Sequence, residues 1–165
     1  MVVALRWEIE GEREAAGLIH EWSTNLRNPE PAFEQMLGVL AESQKEWFAT
    51  QGGGSWTELK EPYRSWKRRK FPKRKILHGP DRRGHRGGQL RGDLTRRANG
   101  GRSFGVENVH KRGFEIGTDL DYGITHQRGL GHMPRRPPLK PLDDATVRTL
   151  KKILQAHIVG EAMGD

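Results

Sequence analysis

A chain of 165 residues with 33% hydrophobic residues, 30% charged residues and 21 glycines has room for one domain but little apolar material for its core. The absence of cysteine excludes disulfides and thiolate metal sites, and no apolar run approaches the ~20 residues that span a bilayer. The net charge of +8 divides unevenly: residues 1–63 carry 5 Lys/Arg and 11 Asp/Glu (−6), residues 64–102 carry 15 and 2 (+13), and residues 103–165 carry 9 and 8 (+1).

Residues 1–10 lack the basic flank and long apolar stretch of a secretory signal, so a soluble, cytoplasmically made protein is expected. Val3, Leu5, Trp7 and Ile9 alternate with Arg6, Glu8 and Glu10 as in a strand. Ala15, Leu18, Ile19 and Trp22 fall at i, i+3, i+4 and i+7, the spacing of a short amphipathic helix. Asn28-Pro29-Glu30-Pro31 separates it from a clearer helix through about residue 50, with Phe33, Met36, Leu37, Leu40, Trp47 and Phe48 on one face. Gln51-Gly52-Gly53-Gly54-Ser55 ends regular structure, and no sustained period follows before Gly88, so residues 51–88 read as a long, flexible basic loop or arm.

Order resumes near Gln89–Leu94 with an expected strand, and Asn99-Gly100-Gly101 reads as a hairpin turn. Phe104, Val106 and Val109 suggest a strand, His110–Gly113 a turn, and Phe114–Gly117 another strand. A helical piece is expected around Tyr122–Gln127, then a loop from Gly129 to Pro141. Asp143 or Asp144 caps a last helix striped by Val147, Leu150, Ile153, Leu154 and Ile158. The order β-α-α-loop-β-β-β-α defines a single α+β domain over residues 1–165. A small, mainly antiparallel sheet packs with an N-terminal helical pair and a C-terminal helix.

The sharpest chemical feature is the cluster Arg64, Lys67, Arg68, Arg69, Lys70, Lys73, Arg74 and Lys75, interleaved with Trp66 and Phe71. Cations that neutralise phosphates beside aromatics that stack on bases would suit a nucleic acid. A solvated arm that meets the acidic body of a neighbouring subunit needs no recognition fold, and no RNA-recognition signature, GXXG or zinc finger is present. The inter-subunit use is therefore favoured. His78 and His85 flank Asp81 in a glycine-rich stretch, which raises a metal-dependent nuclease, but no HExxH or carboxylate cluster accompanies them. Gly129-Leu-Gly-His lacks the third glycine of a dinucleotide fingerprint, no serine sits in a GxSxG elbow, and Asp119 and Asp121 have no evident partner acid. His126 reads as a packing residue. No catalytic, metal-binding or cofactor-binding set emerges, so a non-enzyme without a cofactor is expected.

Several motifs recur in a recognisable order. A helix ends in Trp47-Phe48, and a glycine turn leads to Gly54-Ser55-Trp56-Thr57-Glu58-Leu59. A Lys/Arg-rich loop precedes Ile76-Leu77 and then Leu90-Arg91-Gly92-Asp93-Leu94. Phe114-Glu-Ile-Gly117 leads to Tyr122-Gly123-Ile124-Thr125-His126-Gln127-Arg128-Gly129, and Pro134-Arg135-Arg136-Pro137-Pro138-Leu139 precedes the last helix. In this order, across about residues 30–158, the chain resembles the virion morphogenesis, or tail completion, family of tailed bacteriophages. Gly92-Asp93 and Gly123 depart from that family's small-serine and alanine positions. The resemblance implies a structural virion protein of the neck, a subunit of a ring, commonly sixfold, that finishes the tail and joins it to the DNA-filled head. It implies other neck and tail-tube proteins as partners, DNA in the lumen as a further contact, no membrane, and host cytoplasm as the place of assembly. A tail terminator or head-side stopper of the same neck is the nearest alternative. A small basic nucleic-acid-binding protein is the alternative of a different class.

Overall fold

The computed structural model describes residues 11–72, 76–77, 89–101 and 104–160. The strand expected at residues 2–10, the cations Lys73, Arg74 and Lys75, and the His78–Asp81–His85 group lie outside these residues. Within them the chain runs α1 (Glu12–Arg27), α2 (Glu30–Ala49), α3 (Tyr63–Lys70), α4 (Gln89–Thr95), a 3-10 turn (Arg97–Asn99), β1 (Val106–His110), β2 (Gly113–Gly117), α5 (Asp121–Arg128) and α6 (Asp144–Val159). The α+β class expected from the sequence holds, with the sheet reduced to one antiparallel hairpin among the described residues.

α2 is the spine. Pro31 near its start and Glu30 in its first turn suit the free amides and positive end of a helix. Its apolar face then carries three successive clusters. Ala32, Phe33 and Met36 meet Ile153 of α6, while Leu37 and Ala41 meet Phe104 and the hairpin side chains Val109, Phe114 and Ile116. Phe48 at the far end meets Trp56 and the α4 residues Leu90 and Leu94. Val109 pairs with Phe114 across the hairpin, and Phe114 stands edge-on to Phe33 with centroids 5.7 Å apart. α6 is closed at both ends, by the Asp143 carboxylate accepting from the Thr146 amide at 2.7 Å and by Gly160 in the left-handed conformation. Arg97, 15% exposed at its side chain, bridges Glu34 of α2 and Glu107 of β1.

Two expectations need correction. Residues 89–95 are helix rather than strand, because Leu90 and Leu94, four apart, fall on one helical face against Phe48 and Trp56. Asn99-Gly100-Gly101 does not join strands. Gly100, left-handed at φ 85°, ends the 3-10 turn, and the Gly101 amide donates back to the Arg96 carbonyl at 2.8 Å. α1 is a helix as expected, and its apolar stripe is exposed: Leu18, Ile19, Trp22 and Leu26 are 50%, 62%, 39% and 58% exposed. No described helix is long and apolar enough to cross a membrane.

Candidate functional site

The residues picked out by motif, scattered from Trp56 to Leu139, meet at the far end of α2, with Gly117 the exception. Four consecutive residues, Gln51 to Gly54, take positive φ and reverse the chain after α2. At Gly52 a Cβ would lie 2.3 Å from the indole of Trp56, so this position demands glycine twice over, by conformation and by space. The turn lays Trp56 edge-on against Phe48 and Trp47.

A strap of irregular backbone, residues 134–140, closes over this turn. Its carbonyl at Pro137 accepts from two indoles, Trp47 Nε1 at 2.8 Å and Trp56 Nε1 at 3.1 Å. Next along, the Gln44 side chain donates to the Pro138 carbonyl and accepts from the Lys140 amide at 3.1 Å. Prolines suit such a strap, because they fix φ, lack an amide donor and leave the carbonyls as its bonding groups. The Arg136 side chain, 4% exposed, reaches the other way and donates to the carbonyls of Thr57 (Nε, 2.5 Å) and Glu58 (Nη2, 2.8 Å). Burial pushes this guanidinium below its ordinary value. No carboxylate among the described residues is paired with it.

α5 supports the strap from the other side. The His126 carbonyl accepts from the Arg136 amide at 2.9 Å, and Gln127 Oε1 accepts from the Leu139 amide at 3.1 Å. Gly129 ends α5 at φ 72°, where a Cβ would lie 3.0 Å from the Arg135 backbone. The His126 ring is buried edge-on to Tyr122, and its Nδ1 has no partner among the described residues. Burial, followed by the Arg136 charge, lowers its pKa below the ordinary histidine value. The folded protein therefore binds fewer protons here than the unfolded chain, so stability falls as the pH drops below about 6.5. Unfolding midpoints between pH 7 and 5 should show this loss, and His126→Gln should reduce the slope. An unchanged slope in that variant would remove His126 as its source.

Beside the strap stands α3, a helix within the stretch expected to be a flexible basic loop. The Glu61 carboxylate accepts from the Ser65 amide at 3.1 Å and from Arg64 Nε at 2.9 Å. Bonds to Ser65 and then Arg64 hold its pKa down to about 2. Arg64 also pairs with Glu58, so its charge is compensated. Lys67 is 6% exposed and turned inward. Among the described cations of the cluster, Arg68, Arg69 and Lys70 are exposed, on one turn. Trp66 stacks on Tyr63 at 5.3 Å and meets Phe71 edge-on at 5.9 Å, so these aromatics pack on one another. Between α3 and the glycine turn lies an open cavity of about 310 Å³, lined by Trp56, Leu59, Phe71 and Ile76 and by the charged groups of Glu58, Arg64, Lys67 and Arg68.

Of the motif residues, Trp56, Leu90, His126, Gln127, Gly129, Arg136, Pro137 and Leu139 are tied together by these contacts. Leu59 lines the cavity and Tyr122 flanks His126. Gly117 stands apart, at the end of β2 opposite Val106. Two residues central to the arrangement escaped the sequence reading. Gln44 continues the 37-41-44-48 stripe of α2 and is the one polar member of it, a signal that was present. Asp93, at the position departing from the family pattern, accepts from Thr118 Oγ1 at 2.9 Å and pairs with Arg96. Nothing local in the sequence points to Thr118. Among the described residues no group of three or more His, Asp or Glu side chains could hold a metal ion. Comparison with family models, curated proteins and solved structures gives no match to this chain.

Proposed function

We propose that the chain is a non-catalytic structural subunit of a tailed-phage neck, one member of a ring that completes the tail and joins it to the filled head. The observation that carries this reading is the convergence of the ordered motifs on one clamp. Residues drawn from four segments, far apart in sequence and matching the tail completion pattern in order, serve a single packing unit. Their polar groups are directed at backbone carbonyls and amides rather than at a cavity, as suits a scaffold that must hold its shape under load. The clamp fixes α3, which presents Arg68, Arg69 and Lys70 to a partner. A neighbouring subunit of acidic character is the partner we favour, because the aromatics that would stack on bases are occupied with each other.

The test is charge reversal at Arg68, Arg69 and Lys70 to glutamate, with the inward-facing Lys67 left intact. Virions assembled with this variant should accumulate as separate heads and tails, counted by electron microscopy. Normal, infectious particles would overturn the proposal. Tight duplex binding by the isolated protein, with a steep salt dependence, would favour the nucleic-acid-binding alternative instead.

A further inference from the structure

Helix α1 is unusual for its isolation. Every described side chain from Arg13 to Trp22 is exposed. What holds the helix are contacts of its last turns with the end of α6. Asn25 Nδ2 donates to the Ile158 carbonyl at 3.2 Å, the His157 ring bonds the carbonyls of Asn25 and Asn28, and Glu21 lies beside Gly160. As α1 is followed back from residue 28 to 21, its partners advance from 157 to 160, so its first turns extend past the end of α6. A single helix of this length is marginal in water without packing on its apolar face. That face is present and uncovered by any described residue. Leu18, Ile19, Trp22 and Leu26 form one stripe, bordered on one side by Glu14 and Glu21, with Arg13, His20 and Arg27 at the back.

The cavity beside α3 has the opposite character. Its walls include Trp56, Leu59, Phe71 and Ile76 with the cations Lys67 and Arg68, the Glu58 carboxylate in its lining is paired with Arg64, and Arg69 and Lys70 follow on α3. A volume of about 310 Å³ is at the small end for a cofactor and suits a large side chain. The two surfaces cannot meet within one chain. α1 is tied to the start of α2 and points past the end of α6, whereas the cavity lies beyond the last turn of α2, about 30 Å away by helix rise.

We propose that α1 of one copy docks on the next copy, with Trp22 seated in the cavity beside α3 and Glu14 and Glu21 facing Arg68 and its neighbours. Unlike surfaces then join head to tail, a contact that closes into a ring when the rotation permits. The inference rests on the proposed role as a repeated subunit, and adds which surfaces that repetition uses.

The chain contains no cysteine, so introduced thiols report cleanly. Full-length Ile19→Cys and Thr50→Cys variants, each checked for a native circular dichroism spectrum, would be treated with a short bis-maleimide separately and mixed. Cross-linked dimer is expected only in the mixture, and Trp22→Ala in the Ile19→Cys chain should reduce it at least tenfold. Arg68→Glu should do the same, and Glu14→Arg with Glu21→Arg on the other chain should restore it. Cross-linking of Ile19→Cys alone would show α1 pairing with itself and overturn the proposal. Oligomers in sedimentation without the mixed cross-link would overturn this contact while leaving the ring reading intact. A chain that stays monomeric both at high concentration and in the particle would remove both.

Discussion

Replacing Arg136 by alanine is expected to lower stability by about 2–3 kcal/mol, read as a shift of the urea unfolding midpoint. The side chain donates to the carbonyls of Thr57 and Glu58 while its own amide bonds the His126 carbonyl, so one residue couples the glycine turn, the strap and α5. Bonds from a charged donor contribute about 1.5–3 kcal/mol each. Removing the guanidinium also relieves the cost of burying it, and water can reach the freed carbonyls in part, which keeps the net loss below the simple sum. Arg136→Lys should recover less than half of the loss, because a single ammonium does not reproduce the two-directional fork of guanidinium. Full recovery by lysine would show that charge, rather than geometry, is what the site uses. The near-ultraviolet dichroism of Trp47 and Trp56, which share the Pro137 carbonyl, should weaken in the alanine variant.

Gly52→Ala should cost about 2 kcal/mol or more, the range in which strain at a left-handed position and overpacking combine. At φ 71° alanine pays for its conformation, and its Cβ falls 2.3 Å from the indole of Trp56. The ring cannot swing aside freely, since it is held by Phe48, Trp47 and the Pro137 carbonyl. Gly54 provides the internal control. It has φ 80° but no neighbour within 4 Å of an added Cβ, so Gly54→Ala carries the conformational cost alone. Equal melting temperatures for the two variants would show that the contact with Trp56 contributes nothing.

Helix α2 was legible in the sequence because its periodicity is long and bracketed by Pro29 and the glycine run. The hairpin was legible through Val109, Phe114 and Ile116, and the cap at Asp143 through its spacing to the helix start. α4 was misread because seven residues with two leucines fit either period. What selects helix is Phe48 and Trp56 waiting on one side, which no local pattern encodes. α3 was missed because charge dominates its composition, and its order depends on Glu61 and on the Tyr63–Trp66–Phe71 stack. The stripe of α1 was legible as apolar, but its exposure was not, since periodicity reports which face is apolar and not what covers it. The clamp residues were flagged by motif, yet their bonds were invisible, because most run between side chains and distant backbone groups.

Those same bonds bear on how the protein reaches its folded state. Gln44 reaches Pro138 across 94 residues, Trp47 reaches Pro137 across 90 and Arg136 reaches Thr57 across 79. Contacts of such separation form only after the intervening chain is made, and they slow folding because loop closure must precede their gain. During synthesis the indoles of Trp47 and Trp56 and the carboxamide of Gln44 are complete long before the strap that satisfies them leaves the ribosome. Until residue 140 emerges, the far end of α2 is an apolar surface without its cover, the stage at which premature association is most costly. Closure of the strap therefore waits on residues 134–140, and the far end of α2 gains its cover only after they have been made.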